Sequence, residues 1–146
     1  MKFLNEQGQE VSLRRAENLP GYEVTLAEDT VIDSAVDNPF FKGINVLQLP
    51  KKLKGFRDNP DLQKILEPKA VNTDIILEVS NNEFCIFELD KTLVSTKRLI
   101  LINKLFGNNE EVKPLLINYG LKRIVLKRNT KIGNLFVLKS DQFGVD

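Results

Sequence analysis

The sequence has no histidine, no tryptophan, one cysteine and one methionine in 146 residues. Each absence removes a chemistry. Without histidine there is no Ser-His-Asp triad and no histidine-bound zinc, and one cysteine completes neither a metal cluster nor an intrachain disulfide. Cys85 lies in an apolar stretch with no histidine to serve as its base, so it reads as a small core residue rather than a nucleophile. No apolar run approaches the length of a membrane span, and the opening MKFLNEQGQE lacks a core of signal-peptide type. The expected location is therefore the cytoplasm, or a particle assembled there. A Gly-rich phosphate loop, EF-hand spacing, internal repeats and low-complexity tracts are also missing. An enzyme built from this chain would work with carboxylates, lysines, tyrosines or a hard cation.

What is present suits a globular chain. The length predicts one domain over residues 1–146, large enough to fold without staples, with extended segments at 1–20 and 140–146. The net charge of +1 favours no partner class, but its distribution is uneven. Residues 16–41 carry Glu17, Glu23, Glu28, Asp29, Asp33 and Asp37 with no lysine or arginine, whereas residues 91–139 carry eleven basic residues against Glu110 and Glu111. Two segments lying side by side in one fold would neutralise each other. The same asymmetry would also serve an anionic partner or head-to-tail contact between copies.

The stretch DIILEVSNNEFCIFEL, residues 74–89, predicts two strands joined at Asn81-Asn82, since asparagine tolerates the positive φ of a type I′ turn. A two-residue turn sets Val79 opposite Phe84, Leu77 opposite Ile86 and Ile75 opposite Glu88, with Ile75, Leu77, Val79, Phe84 and Ile86 on one core face. Elsewhere, residues 2–13 predict a hairpin turning near Gln7-Gly8, and YEVTL at 22–26 a half-buried strand. Thr30 to Val36 fits strand or irregular structure. INVLQL at 44–49 predicts a strand and Asn59-Pro60-Asp61 the start of a short helix. Ser95 to Phe106 suits a helix, although Leu99 to Ile102 also fits a strand. Asn109 to Tyr119 predicts the clearest helix, with Val112, Leu115, Leu116 and Tyr119 at i, i+3, i+4 and i+7. LKRIVLKR at 121–128 and the segment 135–140 predict a final basic hairpin. The fold class expected is α+β with β predominating: a mostly antiparallel sheet, or a small barrel or sandwich of short strands, with two or three short helices.

Two groups of side chains suggest chemistry. Lys51, Lys52, Lys54 and Arg57 surround Phe56, and Lys122, Arg123, Lys127 and Arg128 belong to the final hairpin; basic residues near an aromatic suit phosphates and bases. The other group is Asp74, Glu88, Asp90 and Lys91. It resembles the active-site region of PD-(D/E)XK nucleases, which set an Asp on one strand and a Glu-x-Lys on the next. That resemblance implies magnesium held by the carboxylates, with the lysine steadying water or phosphate. The match is offset, because Asp90 fills the lysine position and Lys91 follows one residue late. A two-residue turn also places Asp74 opposite Leu89, on the other face from Glu88.

The reading that follows is a non-enzymatic structural or interaction module, without cofactor, serving as a subunit of a virion or similar particle and binding protein partners or copies of itself. A magnesium-dependent nuclease using Asp74 and Glu88 is the alternative. A non-catalytic nucleic-acid-binding accessory protein, acting through the basic C-terminal hairpin, is the third reading.

Overall fold

The longest strand closes the described chain and holds its largest sheet together. In the computed structural model, which describes residues 1–35 and 67–140, β12 (Lys131–Lys139) runs between β3 (Tyr22–Thr25) and β7 (Glu83–Leu89), and β9 (Leu105–Phe106) extends the far edge of β7. β12 alternates from Gly133 to Phe136, after a register shift between Lys131 and Gly133. Gly133 and Leu135 are buried, whereas Asn134 and Phe136 face the other way; Ile132, at the shift, is buried too. Gly133 is required by its neighbour, because a Cβ there would lie 2.7 Å from Cζ of Phe87 and 2.2 Å from the carbonyl oxygen of Glu88.

Three smaller sheets complete the described fold. The first orders β2 (Glu10–Val11), β1 (Lys2–Leu4) and β6 (Ile76–Glu78), and the second β5 (Lys69–Ala70), β10 (Leu115–Asn118) and β8 (Leu99–Leu101). The third pairs β11 (Ile124–Leu126) with β4 (Thr30–Ile32). Every named strand pair is antiparallel, and one parallel bridge, Ser34 to Asn118, joins β4 to β10. One apolar cluster connects the sheets, with Val24, Leu77, Phe87, Leu99, Leu116, Ile132 and Leu135 among its fully buried members.

The expected predominance of antiparallel strands is present; the expected two or three helices are not. Among the described residues there is one helix, α1 (Lys91–Ser95), whose N-cap is Asp90: its side chain accepts the Thr92 N–H at 3.0 Å. The segment expected to be the clearest helix is extended. Val112, Pro114, Leu116 and Asn118 are the buried positions, a period of two that ends in β10. Leu99–Leu101 is likewise a strand, the second of the two readings for that segment.

The expected central hairpin is corrected more deeply. The chain does reverse at Asn81-Asn82, where the Glu83 N–H donates to the Ser80 carbonyl at 3.0 Å. Its two arms nevertheless part. β6 pairs with β1, and β7 pairs with β12 and β9, so each finds better-matched partners elsewhere. As a result Ile75, Leu77 and Val79 are buried as expected, but on β7 the buried set is Cys85, Phe87 and Leu89 rather than Phe84 and Ile86. The final basic hairpin is corrected in the same way, since β11 and β12 lie in different sheets. The N-terminal hairpin and the strand at 22–25 are as expected, with Gly8 at φ 82° in the turn. The acidic and basic segments do lie side by side, because β3 pairs with β12 and β4 with β11. The predicted strand at 44–49, the helix beginning at Asn59 and the basic group Lys51, Lys52, Lys54 and Arg57 fall outside the described residues.

Candidate functional site

Strand register sets a row of polar side chains across the outer face of the largest sheet. Asn134 on β12 lies opposite Glu23 on β3 on one side and opposite Glu88 on β7 on the other. All three point away from the core, because their neighbours Val24, Leu135 and Phe87 point in. Adjacent strands are about 4.8 Å apart, so the two carboxylates flank the amide across a span of roughly 10 Å.

The row is charged at both ends. Glu23 is held by Arg14 at 3.9 Å and Lys131 at 3.8 Å, and its side chain is 17% exposed. Glu88 is more open, at 51% exposed, and pairs with Lys104 at 3.5 Å. Between them the Asn134 Oδ1 is buried with no hydrogen-bond partner. A buried acceptor left without a donor costs stability, on the order of 1–3 kcal/mol; Glu111 Oε1 is the other such atom among the described residues. The next row down the face is apolar, with Phe136 opposite Ile86 and Ile86 opposite Leu105. A surface of this kind offers an acceptor, two carboxylates, three cations and a flat apolar shelf within a few residues' reach.

The residues singled out from sequence are dispersed. Asp74 does not meet Glu88. It precedes β6 with φ 57°, and its Oδ1 accepts the Glu6 N–H at 2.8 Å in the N-terminal hairpin. Glu88 faces Asn134 instead. Asp90 caps α1 and Lys91 is the first residue of that helix, so both serve the turn after β7. Among the described residues no group of three or more His, Cys, Asp or Glu stands in position to hold a metal ion. Lys122 and Arg123 lie in the turn before β11, whereas Lys127 and Arg128 lie beyond its far end, where the Arg128 N–H donates to Asp29 Oδ1 at 2.7 Å. Sequence reasoning missed Glu23 and Asn134. The available signal was Asn134 itself, a polar residue interrupting the apolar run IGNLFVL.

No family model and no curated protein matches the sequence. Solved structures do match the fold. The dUTPase of EIAV is 14% identical, with a TM-score of 0.62 over 99% of this chain and 92% of its own. A dUTPase from phage phi11 of S. aureus, described with a structural Mg(II) ion, is 9% identical, with a TM-score of 0.63 over 93% of this chain and 88% of its own. A dUTPase of Staphylococcus bacteriophage 80alpha in complex with dUpNHpp is 10% identical, with a TM-score of 0.58 over 93% and 80%. The likeness defines the class: this chain has the jelly-roll-like dUTPase fold, and among the described residues no sheet closes into a barrel.

That finding corrects the functional expectations. The solved proteins sharing this fold are dUTPases, named for an enzymatic activity, and not virion subunits or other structural modules. The expectation that the chain is not an enzyme falls with it. The nuclease alternative fails on two counts, the fold and the separation of Asp74 from Glu88. The nucleic-acid accessory reading loses one of its two supports, since β11 and β12 do not pair into a basic hairpin; the other, Lys51 to Arg57, lies outside the described residues.

Proposed function

We propose that this chain hydrolyses a nucleoside triphosphate, in the manner its dUTPase-fold neighbours are named for, at the Glu23–Asn134–Glu88 row. The observation that carries the reading is the orphaned Asn134 Oδ1 between two carboxylates, on a fold shared along nearly the whole chain with nucleotide hydrolases. Asn134 Oδ1, buried in the free protein, accepts a hydrogen bond from the attacking water once the bound triphosphate turns the amide outward, and so orients it. Glu88, the more open carboxylate, takes the water proton as its oxygen bonds to phosphorus and the bond to the departing phosphate oxygen breaks. Lys104, Lys131 and Arg14 stand beside the row to offset phosphate charge, which in phosphoryl transfer is the protein's main contribution. Glu23, fixed between Arg14 and Lys131, keeps those cations in place. A magnesium ion brought by the triphosphate would be held by the phosphate oxygens and would neutralise phosphate charge.

The test is release of pyrophosphate or phosphate from a panel of deoxy- and ribonucleoside triphosphates that includes dUTP. Turnover should fall roughly 100-fold in Glu88→Gln and in Asn134→Ala, with a smaller change in KM. Failure to turn over any nucleotide would end the proposal. Full activity in both variants would move the site elsewhere.

The same reading takes residues 1–146 as one domain that associates with copies of itself. It is supported by Val31 and Val125, directly opposed on β4 and β11 and both exposed, with Ile100 exposed on β8. Light scattering that gives the monomer mass at every concentration would refute the association. No helix among the described residues is long and apolar enough to cross a membrane.

A further inference from the structure

A second polar site lies at the turn between β10 and β11. A pocket of about 560 Å³ is lined by Lys97 and Arg98, which follow α1, and by Tyr119, Leu121, Lys122 and Arg123 of the turn. Among the described residues no acidic side chain lines it. None of its four cations takes part in an ion pair among the described residues, whereas Lys104, Lys113 and Lys131 each have a carboxylate partner. Four like charges around one hollow repel one another, and nothing in the described fold compensates them.

The turn is built rigidly enough to hold those charges in place. Asn118, only 1% exposed, donates through Nδ2 to the Lys122 carbonyl at 2.8 Å and the Ile32 carbonyl at 3.1 Å, while its Oδ1 accepts the Gly120 N–H at 2.9 Å. The Tyr119 N–H donates to the Arg98 carbonyl at 3.0 Å, with Arg98 itself at φ 56°. Gly120 lets the two strands of the pocket close, since a Cβ there would lie 3.1 Å from the Arg98 Cβ. Beside the cations sit a 41% exposed tyrosine ring and Leu121, 80% exposed. Cations suit phosphate oxygens, arginine bidentately, and an exposed aromatic with an aliphatic neighbour suits a flat heterocycle.

We infer that this pocket is a nucleotide-binding site in its own right, taking a nucleoside di- or triphosphate with its phosphates on Lys97, Arg98, Lys122 and Arg123 and its base on Tyr119. It shares no residue with the Glu23–Asn134–Glu88 row, so it is separate from the proposed hydrolytic site and stands whether or not that row hydrolyses nucleotides. The experiment is titration calorimetry of the full chain with inorganic tripolyphosphate, with a non-hydrolysable nucleoside triphosphate and with a short single-stranded oligonucleotide, at low and moderate salt. Binding of tripolyphosphate should weaken roughly tenfold or more in the charge-reversed pair Lys122→Glu with Arg123→Glu, and again in Lys97→Glu, and should be unchanged in Lys139→Glu, an exposed cation that belongs to neither site. Tyr119→Ala should abolish the nucleotide's advantage over tripolyphosphate and leave tripolyphosphate binding alone. Thermal melting of each variant separates lost binding from lost folding, and Lys97→Glu, on the opposite wall, reports independently of the turn. Unchanged binding in the charge-reversed variants, or no binding at low salt, would overturn the site. Tighter binding of the oligonucleotide than of the nucleotide would overturn the assignment of its ligand.

Discussion

Gly133 and Cys85 show how much one position decides in this fold. The Phe87 ring lies where a side chain at 133 would go, and the nearest backbone oxygen would be only 2.2 Å from the added carbon. Backbone at that distance cannot yield cheaply. Gly133→Ala should therefore destabilise the protein by about 1–3 kcal/mol in urea unfolding, as overpacking does, although alanine is otherwise the milder substitution. Cys85 lies on the same sheet, fully buried, and burial pushes its thiol up to about 11. A thiol held neutral and out of water is inert. At pH 8 the native protein should resist a thiol reagent, and the cysteine should react only as denaturant unfolds the chain. The sequence allowed the Cys85 expectation because no general base was available and its surroundings were apolar. It could not disclose Gly133, whose role depends on which strand lies opposite.

Elements were legible where the local pattern and the tertiary pairing agreed. Tyr22–Thr25 alternates in the sequence and is a strand. Asn109 to Tyr119 fits a helical face through Val112, Leu115, Leu116 and Tyr119, yet the sheet chose the other set. Pro114 and Asn118 hid the period of two, because a buried proline and a buried asparagine do not look like core positions. Asn118 is buried because it satisfies three backbone groups at the β10–β11 turn, a cost and a gain invisible without the partners. The turn after β6 was read correctly as a reversal, and it carries its own electrostatics. Glu83 Oε1 accepts hydrogen bonds from the Ser80 hydroxyl at 2.6 Å and the Ser80 N–H at 3.0 Å, which hold its carboxyl below the ordinary value of 4.5. A depressed carboxyl stabilises the fold above that value and loses the contribution as pH falls through the lower, folded one. Glu83→Gln should thus reduce stability at pH 7 and make progressively less difference below pH 4.5. A stability difference that stays constant from pH 7 to pH 3 would refute this account of the turn.

At the scale of the whole molecule, the main surprise is that neighbours in sequence are not neighbours in the sheets. β6 and β7 part at their turn, as do β11 and β12, and the strand nearest the C-terminus takes an interior place in the largest sheet. Sequence patterns report which residues prefer to be buried, and they report nothing about which distant strand will cover them. That is why the β-rich class was legible, the candidate site was not, and Glu88 was set opposite Ile75 rather than Asn134. Topology of this kind also fixes when the protein can fold. β3 and β7 have no ladder between them until β12 arrives, and β12 brings the fully buried Ile132 and Leu135 with it. Non-local pairings pay their loop-closure entropy before the contacts form, so folding should be slow, on the order of milliseconds to seconds. A chain ending at residue 130 should show no cooperative unfolding transition at all, whereas the full chain should show a single transition by both circular dichroism and fluorescence. A truncated chain that still unfolds cooperatively would mean the remaining sheets form a core without β12, and the four-stranded sheet would then be an addition to the fold rather than its centre.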